Sequence, residues 1–176
     1  GRMLTEDGPR DDVADITRYS YDPQGNLTQR TSPTGEITRT TRYDAQGRWQ
    51  ERTDPTGLVT TRSYDGRGRL LTETSGSEAT HYRYDPQGRL TQLSLPGGQV
   101  LSYSYDGAGR VLRLSDGGHT LSYAYDLAGN VLREERHDAQ GQRTYAMSYT
   151  YDPQGRLIQS TDGLGAVSTY AYDPAG

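Results

Sequence analysis

The chain has 176 residues, a formal charge of −4 and 19 basic residues, all of them Arg, and it contains no Cys. Leu, Ile and Val number 16, 3 and 6 and Phe is absent, so these four types fall below the ~20% that usually accompanies a packed core. The scattered Arg and acidic balance exclude a nucleic-acid footprint, no apolar run is long enough for a membrane-spanning helix in this segment, and disulfides and thiolate metal sites are impossible.

Low net charge argues against simple disorder, and periodicity decides the matter. In chain order, Gly1-Arg2-Met3-Leu4-Thr5-Glu6 matches Gly68-Arg69-Leu70-Leu71-Thr72-Glu73 position for position. Tyr-Asp followed by Gly three residues later then recurs at Tyr21-Asp22…Gly25, Tyr43-Asp44…Gly47, Tyr64-Asp65…Gly68 and Tyr84-Asp85…Gly88. It continues at Tyr105-Asp106…Gly109, Tyr125-Asp126…Gly129, Tyr151-Asp152…Gly155 and Tyr172-Asp173…Gly176. Each complete copy runs on through Arg or Asn to an apolar residue, as in Gly47-Arg48-Trp49 and Gly129-Asn130-Val131. The whole of 1–176 therefore reads as one array of about eight repeats. Its ends fall inside turns, so an excised part of a larger array is expected.

Turn chemistry explains the motif. In Tyr84-Asp85-Pro86-Gln87-Gly88-Arg89-Leu90, Asp opens a type I turn, Pro supplies the fixed φ and Gly takes the left-handed bulge position of a three-residue hairpin loop. Tyr84 then falls opposite Leu90. Second turns are expected at Pro33-Thr34-Gly35, Asp54-Pro55-Thr56-Gly57, Pro96-Gly97-Gly98, Asp116-Gly117-Gly118 and Asp162-Gly163-Leu164-Gly165. Tyr-x-Tyr at 19/21, 82/84, 103/105, 123/125, 149/151 and 170/172 places paired rings on one strand face. The fold class is all-β: tandem hairpins forming about fifteen short strands of one long antiparallel sheet, wound as a spiral strip. Simple alternation puts Leu90 with Gln92 and Ser94, and Thr91 with Leu93 and Leu95. Both faces are accordingly expected to be largely polar and wet. The two longest intervals should carry their extra length in the Gly8–Asp15 turn and in a longer hairpin around Asp138-Ala139-Gln140-Gly141.

No catalytic, cofactor or metal residues are assigned. Asp11-Asp12 and Glu134-Glu135 are adjacent on strands and point to opposite faces. His81, His119 and His137 lack partners at metal-ligand spacing, and one Asp per turn falls short of a calcium shell. Neither Gly97-Gly98 nor Gly117-Gly118 is followed by a phosphate-loop Lys. The tyrosines and Trp49 leave a carbohydrate-binding or adhesion role as the alternative function.

YDPQGRL at 84–90 and 151–157 and YDPQGNL at 21–27 closely resemble the YD repeats of Rhs proteins, of the cocoon-forming subunits of Tc toxins and of teneurins. The resemblance is to the bacterial Rhs group and covers the whole chain. It implies a β-strip forming part of a hollow shell around a toxic C-terminal effector domain, in a secreted or delivered protein. The implied partners are the rest of the shell and that cargo, and the segment itself is not an enzyme. Asp54-Pro55-Thr56-Gly57-Leu58 resembles the tail of the family's autoproteolytic segment, but ordinary turn usage accounts for it.

Overall fold

In the computed structural model, residues 1–9 and 15–173 are described. Strands form wherever β-branched and aromatic residues separate the Gly- and Pro-punctuated turns. The chain divides into two compact units, Gly1–His81 and Tyr82–Gly176. The first holds β1 (Thr5–Asp7), β2 (Ile16–Tyr21), β3 (Leu27–Thr31), β4 (Ile37–Tyr43), β5 (Trp49–Thr53), β6 (Val59–Tyr64) and β7 (Leu70–Ser75). Strand β8 (Glu78–Tyr84) carries the chain into the second. That unit holds β9 (Leu90–Ser94), β10 (Val100–Tyr105), β11 (Val111–Ser115), β12 (Thr120–Tyr125), β13 (Val131–His137), β14 (Arg143–Tyr151), β15 (Leu157–Asp162) and β16 (Val167–Thr169). Sheet order follows chain order, and helical structure among the described residues is limited to one 3-10 turn at Pro96–Gly98.

The predicted turns form as expected. In all seven complete repeats the Asp N–H donates to the carbonyl four residues on at 2.9–3.0 Å, and the Gly N–H donates back to the Asp carbonyl. Gly25, Gly47, Gly68, Gly88, Gly109, Gly129 and Gly155 all have φ between 75° and 100°. Tyr lies opposite the motif's apolar residue in Tyr21↔Leu27, Tyr43↔Trp49, Tyr64↔Leu70, Tyr105↔Val111, Tyr125↔Val131 and Tyr151↔Leu157. One intervening turn, at Gly76-Ser77 between Ser75↔Glu78, escaped the sequence reading because it carries neither Pro nor Asp.

Register departs from simple alternation in one consistent way. Beside Tyr105↔Val111 the next pair is Ser104↔Arg113, so Leu112 is an extra, unpaired residue, and Leu71, Leu132 and Ile158 hold the same position. A β-bulge adds one residue and resets the face of everything beyond it. Leu114, opposite Tyr103, therefore joins Val111 and the tyrosines on one face, while Arg113 and Ser115 join Ser102 and Ser104 on the other. Around β10 and β11 one face thus collects Tyr103, Tyr105, Val111 and Leu114, while elsewhere the tyrosine face also carries Arg30, Glu73, Glu134 and Arg136. Neither face is covered within either unit: no apolar side chain among the described residues is buried, and only Thr17, Thr40 and Ser160 are.

The long interval before Gly155 carries its extra length in a longer hairpin, as expected. Asp138 to Gln142 closes with the ordinary three-residue loop, and the added residues lengthen β13 and β14 to 7 and 9 residues. Extending a ladder satisfies every added backbone group, which a longer loop would leave to water. In the Gly8–Asp15 turn, residues 10–14, including the Asp11-Asp12 pair, lie outside the described residues, as does Gly176.

A left-handed glycine tolerates no Cβ without strain. Gly109→Ala should cost about 1 kcal/mol. Gly68→Ala should cost more, because its Cβ would meet the Arg48 guanidinium at 2.5 Å. Urea midpoints at constant m-value check both.

Candidate functional site

The repeated motif builds a repeated joint. Within each YD turn the Asp Oδ1 accepts the backbone N–H four residues on, from Asn26, Arg48, Arg69, Arg89, Arg110, Asn130 and Arg156, at 2.8–3.0 Å. Its Oδ2 takes Nε of Arg48, Arg69, Arg89, Arg110 or Arg156 at 2.6–2.7 Å. Where Asn replaces Arg, the Asn26 and Asn130 amides donate to the same oxygen at 2.9 and 2.8 Å.

The Arg held by that carboxylate reaches into the next repeat. Arg48, Arg89, Arg110 and Arg156 lie over the rings of Tyr64, Tyr105, Tyr125 and Tyr172 at 4.5–4.8 Å. Arg89 and Arg110 also donate to the carbonyls of Asp106 and Asp126, at 3.1 and 2.8 Å. The Tyr replies across the joint: its hydroxyl donates to the carbonyl of the apolar residue of the preceding hairpin. This contact runs from Tyr21, Tyr43, Tyr64, Tyr105, Tyr125, Tyr151 and Tyr172 to Met3, Leu27, Trp49, Leu90, Val111, Val131 and Leu157, at 2.5–2.9 Å. Those carbonyls sit at the bulge, where the ladder leaves acceptors open. Sequence reading found Tyr, Asp and Gly but not that Arg and the apolar residue complete the joint. Their recurrence directly after every motif Gly was the available signal.

Electrostatics follow the geometry. The side-chain amides of Asn26 and Asn130 hold Asp22 and Asp126 below the ordinary carboxylate range. The backbone N–H groups of Arg69 and Arg110 do the same for Asp65 and Asp106. For Asp44, Asp85 and Asp152, burial pushes upward, but the hydrogen bonds from Arg48, Arg89 and Arg156 outweigh it. Burial raises Tyr105, Tyr123, Tyr149 and Tyr151.

The remaining candidates do not assemble. Glu135 pairs with Arg133 at 2.6 Å and Arg143 at 3.3 Å, while the adjacent Glu134 lies opposite Tyr123 on the other face. His81 contacts Thr72 at 3.2 Å, and His119 lies 3.8 Å from Asp116. No group of three potential metal ligands occurs among the described residues, and no helix among them is long and apolar enough to cross a membrane. Asp54 is engaged as a turn cap, its Oδ1 accepting from the N–H groups of Thr56 and Leu58 at 2.8 and 2.9 Å.

The RHS Repeat family model matches residues 1–37, 43–80, 73–100, 84–121, 105–143, 125–167 and 151–176. The chain belongs to the RHS repeat family. Among solved structures it is similar to TcdB2-TccC3-Cdc42, with 20% identity, TM-score 0.76 and coverage of 98% of this chain and 11% of that one. It is also similar to TcdB2-TccC3, at 18% identity and TM-score 0.72, covering 96% and 11% of the two chains. A third is the Photorhabdus luminescens Tc holotoxin pore with a substituted TccC3, at 18% identity and TM-score 0.68, covering 90% and 9%. At these identities the likeness is one of fold, and this RHS repeat segment spans about a tenth of those chains. No curated protein sequence matches the segment.

Three outcomes test the joint. Tyr125→Phe should cost about 0.5–1.5 kcal/mol, leaving the Val111 carbonyl without its hydroxyl donor, and Arg110→Lys about 0.5–1 kcal/mol by loss of stacking. Asn130→Arg should raise the melting temperature by supplying a cation for Tyr151. Depressed carboxylates contribute stability above their unfolded value of 3.8, and it is lost as pH falls through the lower folded values. Tyrosines with raised values contribute stability below 10.0 that is lost as pH rises past the folded values. Melting temperature against pH should therefore show a plateau falling away below about 4 and above about 10.

Proposed function

We propose that this RHS repeat segment is part of the wall of a hollow shell that encloses a toxic C-terminal effector domain for delivery to other cells, and that it performs no catalysis of its own. The observation that carries this reading is the joint itself, made seven times by the Tyr hydroxyl. A catalyst needs one unique constellation of groups, whereas here the interactions recur from repeat to repeat and serve to continue the sheet. A single layer with polar residues on both faces suits a wall wetted inside and out. The family match and the fold shared with Tc toxin complexes support a structural role, and the toxin cargo and secreted location come from that likeness. Pairing of the motif tyrosines with Leu, Val and Trp, and the engagement of their hydroxyls, favour a wall over a glycan-binding surface.

The test uses the full parent protein with its cargo domain. Deleting the two repeats between Gly88 and Gly129 should expose the cargo to protease while the intact parent protects it. Unchanged protection, or a parent without any domain beyond its repeats, overturns the container reading. Binding of the segment to a glycan array would favour adhesion instead.

A further inference from the structure

Asp-Gly occurs five times, at Asp7, Asp65, Asp106, Asp116 and Asp162. In this dipeptide the backbone nitrogen approaches the preceding carboxyl most freely, because glycine has no Cβ to restrict its φ or crowd the approach. The fold gives the five copies different surroundings. At Asp65 and Asp106, in YD turns, both carboxylate oxygens are held. Oδ1 accepts two backbone N–H groups at 2.9 Å, and Oδ2 takes Nε of Arg69 or Arg110 at 2.7 or 2.6 Å. Asp116 instead opens the intervening turn Asp116-Gly117-Gly118-His119, closed by its own N–H on the His119 carbonyl at 3.2 Å. Its Oδ1 accepts from Gly118 and His119 at 2.9 and 2.6 Å, but no Arg among the described residues takes Oδ2, and His119 Nδ1 lies 3.8 Å from it. The Asp116 side chain is 37% exposed, against 18% for Asp65 and 16% for Asp106.

We propose that Asp116–Gly117 is a site of spontaneous isoaspartate formation, and that the motif Arg, besides making the joint, shields the same dipeptide at Asp65 and Asp106. In the reaction the Gly117 nitrogen bonds to Asp116 Cγ, and its proton leaves with the carboxyl hydroxyl as one water, closing a succinimide ring. Water then opens either ring carbonyl. One product is the original aspartate, and in the other the chain runs through the side-chain carbonyl as isoaspartate. Nothing is oxidised or reduced, and water is the only co-reactant. Isoaspartate adds a backbone carbon to the loop and removes the Oδ1 cap, loosening the β11–β12 hairpin at the edge opposite the YD turns.

Ionisation does not separate the sites: backbone N–H groups hold Asp116, Asp65 and Asp106 alike below the ordinary carboxylate range. The second oxygen does. To meet the glycine nitrogen the carboxyl must turn out of its cap, and at Asp65 and Asp106 that also breaks a charge-assisted bond to a guanidinium. The turn at Gly117 has room to rearrange, since a Cβ there would meet nothing within 4 Å. Gly66 and Gly107 are as open, which leaves the Arg as the difference. The two remaining copies are more confined: a Cβ would meet the Asp15 carboxylate at 2.1 Å from Gly8 and the Ala146 side chain at 3.4 Å from Gly163.

Held warm at mildly acidic pH, where more of each carboxyl is protonated, the chain should accumulate isoaspartate at Asp116 about tenfold or more faster than at Asp106, the factor expected of one charge-assisted bond. Proteolytic digestion followed by electron-transfer fragmentation distinguishes isoaspartyl from aspartyl at each position. Unfolding in urea should bring the two rates together. Arg110→Ala should raise the rate at Asp106 towards that at Asp116 while Asp65, whose clamp is intact, stays slow, which separates local release from general unfolding. Arg110→Asn, which supplies the neutral clamp that Asn26 and Asn130 provide, should keep Asp106 slower than Arg110→Ala does. Equal rates at Asp116 and Asp106 in the folded chain, or an Asp106 rate that Arg110→Ala leaves unmoved, overturns the inference.

Discussion

The structure depends on one carboxylate in each repeat. An Asp at the start of the YD turn accepts the backbone N–H four residues later with one oxygen and binds the Arg or Asn side chain there with the other. The first contact fixes the three-residue loop and hence the Tyr–apolar register. The second aims the Arg, where the repeat has one, out of its own hairpin and onto the next tyrosine. Local turn chemistry is thereby converted into the contact between neighbouring repeats.

This arrangement explains how a chain so poor in aliphatic residues folds. No apolar side chain is buried among the described residues, and the three buried side chains are hydroxyl-bearing. Stability must come from many ladder hydrogen bonds, cross-strand pairs and joints, each worth at most about a kcal/mol, accumulated between neighbours as in other repeat arrays. It also gives a physical reason for a chain with Arg and no Lys. A planar guanidinium can bind a carboxylate with Nε, stack on a ring and donate to a backbone carbonyl together, as Arg110 does, and an ammonium cannot.

The bulge after each YD turn has a further effect. It moves Leu114 to the tyrosine face and Arg113 away from it, so simple alternation misassigns the residues beyond the bulge. The residue that it leaves over is often apolar and lies open, as Leu71, Leu112 and Leu132 do at 37–39% exposure.

Hairpin turns, glycine conformations and Tyr–apolar register were all legible in the sequence, because each is set within a few residues by φ preferences and Asp capping. The faces of the sheet were not legible: a bulge changes no residue, only the pairing, and pairing is decided by the neighbouring strand. The longer β13–β14 hairpin was legible from the spacing of the motif glycines, although only the ladder shows that the added residues extend both strands rather than the loop. The Arg–Tyr joint lies between these cases. Its residues recur in plain sight after Gly47 and Gly109, but the ring each Arg covers lies 15 or 16 residues away, and only the folded sheet brings the two together.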